Sequence, residues 1–146
     1  MEWTAWTSAG HKTLGAVKTG HYYLSEDIYG SSQKIANGTV CLDLNGHTLQ
    51  ANNRALLASG KSYTAGKPIF NVQDSKGGGY VISQAGTNNP GGGTVVASYG
   101  GEFNLYGGTL QYITTSDSLT TIGGVVRVYG DKTSGIGTKF IFAKNL

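Results

Sequence analysis

The side chains best equipped for chemistry are few and scattered. The chain has eight carboxylates: Glu2, Glu26, Asp27, Asp43, Asp74, Glu102, Asp117 and Asp131. Cleavage of a glycosidic bond needs two carboxyls flanking that bond at a defined separation. A calcium-assisted lyase needs several around an ion, with an Arg or Lys as base. These eight are too dispersed to mark out either arrangement. His11, His21 and His47 stand far apart, and a zinc site needs three or four converging ligands. His47 follows Asn45-Gly46 and reads as a surface residue on a turn. Cys41 is the only cysteine, so no internal disulfide can form, and no His–Asp arrangement nearby marks it as a nucleophile. It reads as filling a small core or coil-edge position, as free cysteines tend to be buried. Gly77-Gly78-Gly79 and Gly91-Gly92-Gly93 lack the Lys-Ser/Thr of a phosphate loop and read as turns. These residues predict no catalytic group, no metal and no cofactor.

Binding chemistry is better represented. Tyr99, Tyr106, Tyr112 and Tyr129 fall at strand ends or on outward positions, and Tyr106 and Tyr112 flank the strand that begins at Gly107-Gly108. Exposed rings meet the apolar face of a sugar, and amides hydrogen-bond its hydroxyls. The candidate ligand-binding set is Tyr106, Tyr112, Asn104, Gln111, Asp43 and Asn71. The plainer reading is that Tyr is simply common on solvated sheets. Asn37-Gly38-Thr39 fits the glycosylation acceptor pattern and carries little weight.

What positions these residues is a chain poor in charge and rich in glycine. Charged residues make up 13% of the 146, and 24 are glycine. Glycines interrupt nearly every segment longer than eight residues, which argues against helices. The runs between them are rich in Val, Ile, Leu and Tyr, which suit a pleated sheet. The length fits one domain with a real core. The net charge of +3 comes from basic residues spread from Lys12 to Lys144. Nucleic acid would want a patch, so no nucleic-acid partner is expected. No apolar run approaches the roughly 20 residues that span a bilayer, so no membrane insertion is expected either. No signal peptide is visible, and Met1 reads as an initiator placed before a piece of a longer protein.

Val40-Cys41-Leu42-Asp43-Leu44-Asn45-Gly46-His47-Thr48-Leu49-Gln50 organises the rest. Leu42 and Leu44 alternate with Cys41 and Asp43, the period of a strand with one buried face. Asn45-Gly46 tolerates positive φ and makes a turn. The unit from Leu44 to Leu49 returns as Leu105-Tyr106-Gly107-Gly108-Thr109-Leu110, and Val72 to Ile82 is the same unit with a longer turn. Leu44 to Val72 is 28 residues, and Val72 to Leu105 is 33. A third apolar run closes each interval: Ala55-Leu56-Leu57-Ala58, then Thr94-Val95-Val96-Ala97, then Val125-Val126-Arg127-Val128.

Three short strands per repeat predict an all-β parallel β-helix, a solenoid of about three to four coils with an N-terminal cap. The coils fall at 40–58, 69–97 and 102–128, and a fourth begins at Lys139-Phe140-Ile141-Phe142-Ala143. Hairpins compete, because Asn-Gly and Gly-Gly also make tight hairpin turns. One turn lengthens without loss of its flanking apolar positions, which favours the solenoid. Stacking predicts that Leu44, Val72 and Leu105 point inward, as do Leu42, Phe70 and Phe103, while Asp43, Asn71 and Asn104 stack outside. In the second sheet Leu49, Ile82 and Leu110 go in, and Gln50, Ser83 and Gln111 go out.

Residues 1–38 read as the cap and lead-in strand, and 39–146 as the coils, truncated at the C-terminus. Trp3 and Trp6 would cover the open end of the stack; the alternative is an aromatic platform for a sugar. The last coil is left open, so self-association through its unpaired edge is expected.

One further feature is a resemblance. The order Trp-x-x-Trp, then Gly20-His21-Tyr22-Tyr23-Leu24 with Asp27, then Val40 to Leu49, Val72 to Tyr80, and Phe103 to Leu110 covers residues 3–130 broadly. It resembles the start of right-handed β-helix regions in large secreted, repeat-containing proteins of Gram-positive bacteria, loosely within the pectate-lyase-like superfamily. The resemblance implies a secreted or cell-surface, adhesin-like or structural module without catalysis, with glycans or a host or neighbouring-cell surface as partner. Galacturonan-hydrolysing relatives carry a paired-Asp motif, a Gly-His-Gly and an Arg-x-Lys. None is present here, and Gly46-His47 is followed by Thr48. A carbohydrate-binding module is the first alternative, and a fragment of a polysaccharide lyase or glycoside hydrolase the second.

Overall fold

A computed structural model describes residues 1–6, 19–30, 33–35, 38–52, 55–59, 68–85, 96–114, 125–129 and 138–142. Of the residues singled out above, His11, Asn37, Gly91-Gly92-Gly93, Thr94, Val95, Asp117, Asp131 and Ala143 lie outside the described residues, as do the side chains of Tyr99, Arg127 and Tyr129.

The described residues form strands and no helix. In chain order they are β1 (Trp3–Trp6), β2 (Gly20–Leu24), β3 (Ile28–Gly30), β4 (Gln33–Ile35), β5 (Thr39–Asp43), β6 (Thr48–Asn52) and β7 (Leu56–Ser59). Then come β8 (Ile69–Gln73), β9 (Tyr80–Ala85), β10 (Val96–Tyr99), β11 (Glu102–Leu105), β12 (Thr109–Thr114), β13 (Val126–Tyr129) and β14 (Lys139–Phe142). The first sheet runs β1-β2-β5-β8-β11-β14, the second β3-β6-β9-β12 and the third β4-β7-β10-β13. The chain therefore visits the three sheets in rotation. Every pairing among these strands is parallel, so the hairpin alternative does not occur among them. Parallel neighbours need a crossover, and from β2 onward the intervening strands of the other two sheets supply it.

The core lies on the inner faces. Val40, Phe70, Phe103 and Phe140 stand in register across the first sheet, and Leu42, Val72 and Leu105 form the next row. The rings of Phe70 and Phe103 stack with centroids 5.9 Å apart, and those of Phe103 and Phe140 at 5.5 Å. Leu49 and Val81 close the core from the second sheet, and Leu56 and Ala58 from the third.

Two registers differ from the sequence expectation. Leu42, not Leu44, stands beside Val72, and Val40, not Leu42, beside Phe70. Asp43 is consequently beside Gln73, and Cys41 is the residue beside Asn71. A shift of two leaves every side chain on its own face, so alternation does not detect it. In the second sheet Val81 rather than Ile82 stands between Leu49 and Leu110. Ile82 joins Gln50 and Gln111, while Ser83 turns inward and is fully buried. A shift of one exchanges the two faces. The longer turn before β9 sets this register, because the Tyr80 N–H donates to the His47 carbonyl at 3.1 Å and fixes Tyr80 opposite Thr48.

Trp3 and Trp6 part company. Residues three apart on a strand face opposite ways. Trp6 is fully buried beside Leu24, its ring edge-on to Tyr22, while Trp3 is exposed on the outer face.

Candidate functional site

The outer face of the first sheet gathers side chains from five strands. Trp3, His21, Cys41, Asn71 and Asn104 follow one another across β1, β2, β5, β8 and β11. Two residues further along the strands, Tyr23, Asp43 and Gln73 form a parallel row, and Tyr106 follows β11 on the same side. An amide ladder joins the steps. Asn104 Nδ2 donates to Asn71 Oδ1 at 2.8 Å and to Glu102 Oε1 at 3.1 Å, and Asn71 Nδ2 donates to Cys41 Sγ at 3.5 Å. A cleft of about 240 Å³ opens on this face, lined in part by Trp3, His21, Cys41, Asn71, Gln73 and Tyr106. The Trp3 and His21 rings meet edge to face, with centroids 5.2 Å apart.

Beside this face the chain turns from the first sheet into the second, and two carboxylates build the corner. Asn45 (φ 52°) and Gly46 (φ 79°) take the left-handed conformation anticipated for Asn-Gly. Asp43 Oδ1 accepts from the Asn45 N–H at 2.8 Å and the Ser75 N–H at 2.9 Å, and its Oδ2 accepts from Gln73 Nε2 at 2.9 Å. Asp74 Oδ1 accepts from the Gly46 N–H at 2.8 Å, and its Oδ2 from the Gly79 N–H at 2.7 Å. Asp43 thus reaches forward to the following turn, and Asp74 reaches back to the preceding one. One step earlier, Asn45 Nδ2 donates to the Leu24 carbonyl at 2.9 Å, and Asp27 Oδ1 accepts from the Thr48 N–H at 2.9 Å. His47 Nδ1 lies 3.5 Å from the same Asp27 oxygen, on the outside of the turn.

Burial alone pushes the Asp43 carboxyl up. The Ser75 N–H, the Gln73 amide, the Ser75 hydroxyl and the Asn45 N–H outweigh it and hold the group below the usual carboxylate range. Such a carboxylate is a permanent acceptor at neutral pH and has no proton to give a leaving group.

Four of the six residues predicted to bind ligand, Asp43, Asn71, Asn104 and Tyr106, share this region. Of these, Asn71 and Tyr106 line the cleft; Asp43 is turned to the corner, and Asn104 is a buried member of the ladder. Gln111 is exposed on the second sheet. Tyr112 packs inward against the core, beside Ser83. The hydroxyls of Tyr112 and Ser83 are buried without a hydrogen-bond partner among the described residues. The candidate ligand-binding set left out His21, Cys41 and Gln73, and Trp3 entered the sequence reading only as the alternative sugar platform. For Cys41 and Gln73 strand parity carried the signal, since each alternates with a buried neighbour. Among the described residues no three His, Cys, Asp or Glu side chains gather as a metal site would require.

Fold and site together define an all-β chain of parallel sheets, with an aromatic and amide-lined cleft on one outer face. No protein-family model, no curated protein and no solved structure matches it.

Proposed function

We propose that the three sheets are the faces of a parallel β-helix of the right-handed, pectate-lyase-like kind. We propose further that the chain is a non-catalytic, adhesin-like structural module of a secreted or cell-surface protein. The strand triplets β2-β3-β4, β5-β6-β7, β8-β9-β10 and β11-β12-β13 support the solenoid, with β1 and β14 extending the first sheet at either side.

The functional reading rests on one observation. Asp43 and Asp74, the two buried carboxylates among the described residues, are both bonded to backbone N–H groups of turns. Carboxylates held in this way fasten one turn to the next. Asp43 has no proton to give a leaving group at neutral pH, and both oxygens of Asp74 are engaged by the Gly46 and Gly79 N–H groups. A stack fastened along its corner is a stiff spacer that displays its outer faces.

Incubation with polygalacturonate and with neutral polysaccharides, followed by assay of reducing ends and unsaturated products, tests this. The expected result is no turnover by the wild-type chain or by Asp43→Asn. Turnover by the wild-type chain that Asp43→Asn abolishes overturns the reading.

A further inference from the structure

We infer that the cleft on the outer face of the first sheet binds a neutral saccharide. A pyranose face would lie on Trp3 or Tyr106, with hydroxyls directed to Asn71, Gln73 and His21. The inference rests on the adhesin-like reading and names what the module holds.

Three features carry it. The first is the pair of exposed rings, Trp3 at 38% and Tyr106 at 39%, which both line one cleft together with the His21 ring and the Asn71 and Gln73 amides. The apolar face of a sugar ring is the natural partner of such a platform. The second is the fixed amides. Gln73 is anchored through Nε2 to Asp43, which leaves its carbonyl oxygen and a second N–H available. Asn71 is held between Cys41 and Asn104. Polar groups already ordered by the protein cost less to order on binding.

The third is charge. No Lys, Arg, Asp or Glu is among the described residues that line the cleft, and the one formal charge there, the Met1 ammonium, stands in solvent, with Met1 93% exposed. A uronate or a phosphate would lose its water there with only that solvent-screened charge to meet it, and an ammonium would find no opposite charge among these residues, whereas a neutral hydroxylated ring loses little. Geometry agrees: neighbouring strands lie about 4.8 Å apart, close to the advance per residue of an extended β-linked glycan. A chain laid across the strands meets one strand per sugar, and about 240 Å³ takes a short unit of it.

Cello-, xylo- and manno-oligosaccharides and polygalacturonate, titrated into the wild-type chain by calorimetry, provide the test. At least one neutral glycan is expected to bind. At least one of Trp3→Ala and Tyr106→Ala should weaken it about tenfold or more. Tyr29→Ala, which removes a ring 64% exposed on the second sheet, should leave it unchanged. Cys41 lines the cleft and is the chain's one thiol, so a bound glycan should slow its alkylation in the unaltered protein. The inference is overturned by no neutral binding, by preference for polygalacturonate, or by binding that both aromatic variants leave intact. None of these results touches the non-catalytic reading, which fails only on turnover.

Discussion

Asp43 shows how one residue type changes meaning with its neighbours. As a lone carboxylate in a repeat it is a candidate acid; with the Asn45 and Ser75 N–H groups and the Gln73 amide around it, it is a clamp. Its folded pKa lies below the ordinary value. It therefore stabilises the fold fully above its unfolded pKa of about 3.9, and the contribution is lost as pH falls through the folded pKa. Thermal melts of the wild type should be level from neutral pH to about pH 5 and decline below about pH 4. Asp43→Asn should be less stable at neutral pH by about 1–3 kcal/mol and show a flatter acid limb. An equally steep acid limb in the variant would assign the pH dependence to other groups. The clamp also limits the residues beside it. A Cβ on Gly79 would lie 2.7 Å from Leu44 Cβ and 2.9 Å from Asp74 Cγ, so only glycine fits between the apolar row and the carboxylate.

Among the elements, the row Val40, Phe70, Phe103 and Phe140 ties β5, β8, β11 and β14 together through side chains as well as backbone. Phe103 sits in the middle, fully buried, with a stacked ring on either side. Phe103→Ala should cost about 3–5 kcal/mol, read from denaturant melts, whereas Phe142→Ala, with its ring 75% exposed, should cost far less. Comparable losses would mean that the stack is not what joins these strands. The row also shows what was legible beforehand. Phe70 beside Phe103, and Val72 beside Leu105, follow from the repeat because β8 and β11 carry the same pattern at the same spacing. The pairing of β5 with β8 was two residues off, because an alternating strand satisfies its core equally well at either offset. The Leu44 N–H, donating to the Gln73 carbonyl at 2.8 Å, and the Asp43–Gln73 contact select one of them.

Over the whole molecule, the sheets are built from partners distant in sequence. Leu42 pairs with Val72, and Val72 with Leu105, so backbone pairing gains little from local contacts. Loop closure precedes each reward, and folding is slow on that account. Refolding after dilution from denaturant should take on the order of milliseconds to seconds or longer; a microsecond phase that recovers the full native signal would contradict the pairing scheme. The candidate cleft belongs to this scale as well. Trp3 and Tyr106 are far apart in the chain and line the same cleft only because five strands stand side by side.

By itself the sequence determined that the described residues form strands and no helix, where most of the strands run, that Asn45-Gly46 turns, and which side of β5, β8 and β11 is apolar. Alternation and glycine placement are local, and local chemistry sets backbone conformation. Only the tertiary structure decided that Asp43 stands beside Gln73, that Ser83 and Tyr112 face inward, and that Trp3 and Trp6 lie on opposite sides of their strand. Those outcomes depend on how turns of unequal length fit against one another. The hydrogen bonds that settle the fit join residues such as Gly46 and Asp74, or His47 and Tyr80, which no local pattern brings together.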